Sequence, residues 1–356
     1  MSYLPTVQIE VFTGTWELVT NIQSIQLDKG RTKISDEFRP GVGTITGRRN
    51  DLLPGGIVIG TELRVYVSAQ GQTGVFLYYR VADLNLNYGT IPSLDTWQMN
   101  VEDAFAYLGR STIDISWADN TNTATAFTDV CNLCNIGSTY VSAGKSTMSA
   151  QTIVNGNAQD IMQTIINTEQ GAIYATGINL LEFYNRNWYA SAPNVIFTDT
   201  GAGIDPVRYD QVIFRSMADN YADYIIVTPR GSSDVVTGDG IYSYNLDSYS
   251  LNSGQAINLA QYVGGVFSVQ NSTPSSISMQ LNEQTNVAWM SALTAPANAQ
   301  ITLRGSVYNS IIIGTSITGD PSSLRFTFNL ASADFYSFLA LNSTIYGTLD
   351  NNKLGY

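Results

Sequence analysis

Cys131 and Cys134 stand at the spacing that redox motifs and zinc knuckles use, because two thiols three positions apart can face one atom. The 356 residues contain no other cysteine and no histidine. This excludes Ser-His-Asp and Cys-His nucleophile pairs and His-ligated zinc or haem within the chain. Both thiols also fall on an apolar stripe of helical spacing with Phe127 and Val130. We therefore predict that they are core residues.

The segment Gly144-Lys145-Ser146 resembles the end of a phosphate-binding loop, in which backbone N–H groups surround an anion. Such a loop needs a glycine five positions before Gly144, where Thr139 stands. Gly137 is out of register, and no strand-then-helix pattern surrounds the segment. We predict no nucleotide site here.

The triplet Asp199-Thr200-Gly201 matches that of aspartic proteases and follows the apolar run Val195-Ile196-Phe197. Two such carboxylates must share one proton in those enzymes, and the chain has one triplet, so a protease would have to be a homodimer. Asp-Thr-Gly is also a common sequence in turns, and this is the interpretation that we favour.

A glycosidase pair remains an alternative, because two acids that meet in space need not be close in sequence. Asp210, Asp219 and Asp223 are candidates for such a pair only as any acids are, and solvated surface explains them far better. Asn271 and Asn342 begin glycosylation sequons, but no export signal accompanies them. We predict no catalytic, cofactor-binding or metal-binding residue.

The composition favours a protein that covers much of its surface with partners. Charged residues make up 13% of the chain, about half of the usual ~25%. The net charge is −12 and the pI is near 4.3, which disfavours a tightly bound nucleic acid. The longest apolar runs, such as Ile311-Ile312-Ile313, are far below the ~20 residues that span a bilayer, so we expect no membrane span.

Alternation of apolar and polar residues predicts antiparallel strands through the first quarter of the chain. Examples are Val7/Ile9/Val11, Leu63/Val65/Val67 and Trp97/Met99/Val101. Val75, Leu77, Tyr79 and Val81 alternate in the same way, followed by Leu84, Leu86 and Tyr88. This pattern indicates a β-barrel or sandwich over residues 1–109.

The period then changes, and residues 110–205 are predicted to form an α+β insert. One helix contains the two cysteines and is stopped by Gly137; a second is capped by Asn157 and ended by Gly171. Its apolar stripe is Ala158, Ile161, Met162 and Ile165, and a hairpin follows from Ala172 to Phe183.

Residues 206–356 are predicted to form a second, mainly β body. Strand patterns occur at 221–228, 266–269, 277–281, 301–303, 307–313 and 324–330. The segment Gly231 to Gly254 has no sustained period, so we predict a long loop or arm, and the chain ends in a compact apolar tail after Ser332.

Several segments together resemble the minor tail proteins, or tail-tip and baseplate hub proteins, of long-tailed bacteriophages. The matching segments are Val7 to Val11, Trp16 to Ile22, Ser24 to Arg31, Asp36 to Gly41, Gly43 to Thr46, Asn50 to Pro54, Gly60 to Val65, Asn157 to Phe183 and Tyr346 to Tyr356. The resemblance implies two tube-like β-barrel domains with smaller peripheral domains, and no catalytic residues or cofactors.

The resemblance further implies a ring, commonly a homotrimer, at the tail tip of the virion, after assembly in the host cytoplasm. Its partners would be the tail tube and distal tail proteins, tip or fibre proteins and the tape-measure protein, with DNA only in transit. Three copies would carry −36, three times −12, and a negative or neutral lumen would let DNA slide without sticking.

Alternative functions remain open at this point. A hexameric distal tail protein would share the first domain type. The other alternative is a carbohydrate-binding or receptor-binding protein, or a cell-wall glycosidase of the tail. In such a protein the 21 tyrosines would line a sugar cleft, and in the glycosidase two acids would carry the catalysis.

Overall fold

The structure is a computed structural model that describes residues 6–33, 36–68, 74–187, 193–199, 207–215, 222–230, 233–250, 252–267, 273–281, 288–293 and 297–333. The chain is mainly β, with 53% of residues in strands and 19% in helices. The apolar tail predicted after Ser332 lies almost wholly outside the described residues, as do Asp219, Asn271 and Asn342.

An N-terminal β body forms from the alternating segments of the first quarter. Its strands are β1 (Thr6–Phe12), β2 (Trp16–Leu18), β3 (Ile22–Gly30), β4 (Val42–Arg48), β5 (Glu62–Ser68), β6 (Val75–Asn87) and β7 (Thr96–Glu102), with 3-10 turns at Asn50–Leu52 and Pro92–Leu94. They pair antiparallel in the order β3-β4-β7-β6-β5-β1-β2. The residues at alternate positions, such as Trp97, Met99 and Val101, are buried.

The strand β6 contains a β-bulge, after which the alternation of inward-facing residues changes phase. The pairing of β6 with β7 shifts register between Val81 and Asp83, and then continues to Asn87. A bulge inserts one residue, so Leu84 rather than Asp83 resumes the inward face.

The insert between the two β bodies contains three helices and short sheets. Its elements are α1 (Ala104–Leu108), β8 (Thr112–Trp117), β9 (Thr121–Asn122), α2 (Thr123–Leu133), β10 (Thr147–Met148), β11 (Gln151–Asn157), α3 (Ala158–Glu169), β12 (Ala172–Gly177) and β13 (Leu180–Tyr184). The Asn157 side chain accepts hydrogen bonds from the backbone N–H groups of Gln159 and Asp160, which confirms the predicted cap of α3.

The two helix ends differ from the prediction. Gln170, with φ 55°, occupies the left-handed position that ends α3, one residue before Gly171. Beyond α2, the left-handed residue is Asn135, with φ 55°, and not Gly137. Asparagine tolerates this conformation better than most residues, whereas glutamine there is unusual.

A C-terminal β body contains β14 (Val195–Thr198), β15 (Val207–Arg208), β16 (Gln211–Arg215), β20 (Thr273–Gln280), β21 (Ala297–Leu303), β22 (Ser306–Asp320) and β23 (Ser323–Ser332). The pairing order is β15-β14-β21-β22, and β22 also pairs with β23, which continues through β20 to β16. A 3-10 turn at Ala288–Leu293 contributes Trp289, which is fully buried against Phe326. Residues 195–198, predicted within the insert, thus pair into this sheet.

The prediction of a long loop over Gly231 to Gly254 is wrong. Residues of this segment form β18 (Val235–Gly238) and β19 (Ser243–Ser248). The strand β17 (Tyr224–Pro229) precedes them, and the helix α4 (Ser253–Phe267) begins at the end of the segment. The order is β18-β17-β19, with β19 parallel to β17. Val266 and Phe267, predicted to begin a strand, end α4 instead, because Phe267 packs with Val263 and Leu259 on a helical stripe.

The two β bodies belong to one continuous sheet, because β22 pairs with β3. The register runs from Gly314 opposite Gly30 to Gly319 opposite Ile25. We call this pairing the seam. Val7, Met99, Phe326 and Trp289 accordingly lie in a single hydrophobic cluster. Within the described residues the sheet stays open, with β2 and β15 at the ends of its main path.

Lys29 lies where the seam meets the insert. Its ammonium donates a hydrogen bond to the Leu293 carbonyl and lies 5.8 Å from the centre of the Tyr174 ring. Burial lowers its pKa to about 8, although the nearby Asp103 carboxylate opposes this shift. Burial also raises the pKa of Asp103 to about 6, against hydrogen bonds from the backbone N–H groups of Ala106, Gly41 and Phe105. Lys29, Asp103 and Tyr174 line a cavity of about 20 Å³, which has room for one water molecule.

A side chain at the seam should destabilise the protein. A Cβ on Gly314 would lie 2.2 Å from the Arg31 carbonyl oxygen, so the backbone would have to move. We expect Gly314→Ala to lower the free energy of unfolding by about 1–3 kcal/mol in urea titrations. Gly55→Ala is the matched control, since nothing lies within 4 Å of its Cβ. An equal free energy of unfolding for the two variants would contradict the claim that the close backbone approach at the seam stabilises the fold.

The pKa of Lys29 predicts a rise in stability at alkaline pH. Between pH 8 and its usual value of 10.5, the unfolded chain keeps the Lys29 proton while the folded chain releases it. Stability contributed by this group therefore increases with pH in this window. We expect the stability of the wild type relative to Lys29→Met, measured by urea unfolding, to increase across it. Lys145→Met, which removes an exposed lysine, is the matched control. The same change of pH dependence in both variants would contradict the assignment to Lys29.

Candidate functional site

The two cysteines are buried thiols, as predicted: Cys131 lies in the last turn of α2 and Cys134 directly follows its end. Cys131 is 1% exposed and Cys134 is 7% exposed, and both pack in one cluster with Phe127 and Val130. Burial raises the pKa of Cys131 to about 12 and also raises the pKa of Cys134. At neutral pH both are therefore protonated, which makes them poor nucleophiles and poor metal ligands.

The loop that resembles a phosphate-binding loop surrounds a carboxylate of the chain itself. The backbone N–H groups of Lys145 and Ser146 donate to Glu169 Oε2, both over 2.9 Å. Thr123 Oγ1 donates to the same oxygen over 2.7 Å. Glu169 is fully buried at the last turn of α3, so an anion already occupies the position of a bound phosphate.

One arginine completes the surroundings of this carboxylate. The Arg186 Nε atom lies 3.6 Å from Glu169 Oε1, and its backbone N–H donates to the same oxygen over 3.3 Å. The Arg186 guanidinium also donates to Ser146 Oγ. Glu169 therefore links α2, the 144–146 loop, α3 and the segment after β13, which makes it a structural centre of the insert.

The candidate acids of the catalytic alternatives have separate structural partners. Asp199 Oδ2 accepts a hydrogen bond from the Arg304 N–H over 2.7 Å, and Asp210 lies 3.6 Å from Arg325 Nη2. Asp223 Oδ1 accepts from the Tyr242 N–H over 2.8 Å. Thr200 and Gly201 lie outside the described residues, as does Asp219. In each observed case the carboxylate secures a turn or a strand.

The part of the chain that the structure describes holds no cluster of three or more histidine, cysteine, aspartate and glutamate side chains able to bind a metal ion.

None of the described helices combines the length and apolar character needed to cross a membrane.

The face of the large sheet that lies opposite the core forms an extended surface, which we call the polar face. One row of paired residues crosses the seam and joins both β bodies: Asn100, Thr44, Gln26, Thr318, Arg325 and Gln280. Amide and hydroxyl groups dominate it, and Thr44 Oγ1 donates to Asn100 Oδ1 over 3.1 Å. Arg325 is paired with Asp210, so the row is close to neutral.

Neighbouring positions on the polar face repeat this chemistry. Ser24 Oγ and Thr46 Oγ1 are 2.6 Å apart, and Ser278 Oγ and Thr327 Oγ1 are 2.9 Å apart. The Asp28 carboxylate accepts a hydrogen bond from Gln26 on the same strand and another from Ser316 across the seam. Side chains on this face thus hydrogen-bond mainly to one another.

An exposed apolar surface lies at one end of the N-terminal β body, where the β4–β5 and β6–β7 connections meet. The two connections are linked by the Arg49 N–H, which donates to the Asp95 carbonyl over 2.9 Å. The exposed residues are Leu52, Val58, Ile59, Leu86, Tyr88, Ile91 and Leu94, with Tyr88 77% exposed. We call this surface the apolar rim. Clustered exposed apolar side chains are typical of protein–protein contacts.

Sequence reasoning missed both surfaces for identifiable reasons. The polar face depends on which strands are neighbours, and the β22–β3 register has no local signal. The apolar rim does have a local signal in the sequence. The apolar residues of 52–59 and 86–94 occur in turn-rich segments, where burial is not expected.

No protein-family model matches the sequence, and no curated protein is similar to it in sequence. Solved structures do match the fold. The tail protein from Neisseria meningitidis matches with a TM-score of 0.66 and 11% identity, over 94% of this chain and 98% of that chain. The 43 kDa tail protein of prophage MuSo2 from Shewanella oneidensis matches with a TM-score of 0.62 and 12% identity, over 93% and 99%.

A third similar structure is the E. coli c3393 protein, a component of the type VI secretion system with structural similarity to the T4 bacteriophage tail proteins gp27 and gp5. Its TM-score is 0.53 at 8% identity, over 91% of this chain and 76% of that chain. The chain therefore has the fold of these phage tail proteins and of this type VI secretion component. This confirms the resemblance inferred from the sequence.

The carboxylate at position 169 should be essential for the stability of the insert. In Glu169→Gln, an amide N–H₂ replaces one of the oxygens at which four donors and the Arg186 guanidinium converge. We expect this change to cost about 3 kcal/mol or more in urea unfolding, because it leaves the arginine without its anion. The control Glu62→Gln, on a half-exposed strand position, should change stability by less than about 0.5 kcal/mol. Unchanged stability of Glu169→Gln would contradict this role.

Proposed function

We propose that this chain is a structural hub protein of a phage tail tip or baseplate, without enzymatic activity. The observation that carries the proposal is the single sheet that joins both β bodies through the seam, in a fold that matches a tail protein over 98% of that protein's length. Each β body would then provide one segment of a tube wall, the role of the two tube-like domains at 1–109 and 206–356. The insert, at 110–205, would lie at the periphery.

In the proposed ring, copies of the chain meet through their sheet edges. An unpaired edge strand is a template for pairing, and a closed ring covers every such edge. At one end of the main path the β1–β2 hairpin carries Phe12 and Leu18, which are 41% and 50% exposed. A contact between neighbouring copies at this edge would bury both side chains.

The polar face would line the channel of the ring. Its hydroxyl and amide groups offer no cluster of positive charge to phosphates, and three copies carry a net charge of −36, three times −12. DNA in transit would therefore meet a surface that does not retain it. The apolar rim at the end of the N-terminal body would contact an adjacent ring, such as the tail tube or distal tail protein. Tip or fibre proteins and the tape-measure protein are the other proposed partners, within a virion assembled in the host cytoplasm.

The mass of the assembly tests this proposal. We expect mass photometry to give about 116 kDa, three times the chain mass of 38.7 kDa, and negative-stain images to show a ring with a central hole. Leu18→Glu should reduce the trimer fraction, because it places a charge in the contact at the sheet edge. Val236→Glu is the matched control, since Val236 is 47% exposed on β18, away from the large sheet.

Two outcomes would contradict the proposal in different ways. A mass of about 232 kDa, six times the chain mass, would indicate a hexameric distal tail protein. A monomer at micromolar concentration, absent from assembled particles, would leave the hub role without support.

A further inference from the structure

A polar groove lies where the insert meets the β17–β19 sheet. It has a volume of about 480 Å³, within the ~300–1,000 Å³ of small-ligand sites. The helix α3 and strand β11 form one wall, and the ends of β17 and β19 form the other. The residues that line it are Glu37, Ile153, Gly156, Asn157, Asp160, Ile161, Gln163, Thr164, Asn167, Thr228, Arg230, Asp247 and Ser248.

Two carboxamides on α3 line the groove with unused hydrogen-bonding groups. Gln163 and Asn167 are 8% and 9% exposed, and Gln163 Nε2 donates to Asn167 Oδ1 over 2.9 Å. Within the described residues, neither carboxamide makes a further hydrogen bond. The pair therefore presents one free C=O and one free NH₂ to the groove, and this holds for either orientation of the two amides.

A free acceptor beside a free donor matches the edge of a peptide unit. The backbone N–H of an extended segment would donate to the free carboxamide oxygen, and a backbone C=O would accept from the free NH₂. Main-chain hydrogen bonds of this kind supply affinity in several modes of peptide recognition, while side-chain pockets supply specificity.

The charges of the groove determine which side chain such a segment would carry. Glu37, Asp160 and Asp247 are exposed carboxylates around the groove, against one guanidinium, that of Arg230. The Arg230 Nη1 atom donates to the Tyr249 hydroxyl over 2.9 Å, so this guanidinium is already engaged. The groove thus favours a cation. No aromatic ring on which a sugar could stack occurs among the described residues that line it.

We propose that this groove binds an extended peptide segment of a partner protein, with a lysine or arginine side chain placed among the three carboxylates. The inference does not depend on the ring proposed above, because all of its residues belong to one chain.

Saturation-transfer-difference NMR on the full chain tests the proposal, since it detects weak ligands of large proteins. The probe is acetyl-Ala-Lys-Ala-amide, and the matched peptide is acetyl-Ala-Glu-Ala-amide. We expect saturable transfer to the lysine peptide, with a Kd on the order of 1 mM, and at least severalfold weaker transfer to the glutamate peptide. Maltotriose, a neutral sugar, should give no saturable signal.

Two sets of variants locate the binding. Asp160→Asn combined with Asp247→Asn should weaken the lysine peptide about fivefold, as expected for the loss of two exposed charge pairs. Asp234→Asn, which removes an exposed carboxylate outside the groove, should leave the Kd unchanged. Gln163→Met combined with Asn167→Leu should weaken both peptides, and its thermal unfolding should match that of the wild type.

Equal binding of the two peptides would overturn the proposal, as would saturable binding of maltotriose alone. A lysine-peptide signal that survives all the groove variants would place the binding elsewhere and would also overturn it.

Discussion

The pairing of β22 with β3 is the constraint on which the rest of the architecture depends. It requires two backbones to approach so closely that Gly30 and Gly314 leave no room for a Cβ. Because of this approach, the two β bodies share one core, and the row from Asn100 to Gln280 crosses six strands without interruption. Without the seam, the bodies would be independent units, and the polar face would be divided in two.

The buried ionisable groups of the insert and of the seam differ in how well neighbouring groups compensate their charges. Glu169 is fully buried, but five hydrogen bonds and an arginine surround it, so its charge is compensated within a few ångströms. Lys29 and Asp103 lie in a site where burial outweighs their mutual attraction, so the pKa of the lysine falls and that of the aspartate rises. The first arrangement stabilises a loop, whereas the second carries an energetic cost at the place where three parts of the chain meet.

Local periodicity predicted most of the strands and the two longer helices of the insert, because burial of one face determines them. Trp97, Met99 and Val101, and the stripe from Ala158 to Ile165, are examples. It failed for 231–267, where β19 alternates around polar residues such as Asn245 and Asp247, and where α4 contains Gly264 and Gly265. Glu169 was also missed as a site residue, because its donors come from segments distant in sequence. Non-local pairing explains both the seam and the polar face, and a single sequence carries no direct record of it.

The apolar rim has a consequence for how the molecule must be made. Seven large side chains that water surrounds in the isolated chain are available to any other exposed apolar surface during synthesis. Freshly translated copies would then be prone to premature self-association at high concentration, unless another protein surface covered the rim first. The temporal order of production would therefore matter to yield as much as the strength of any final contact.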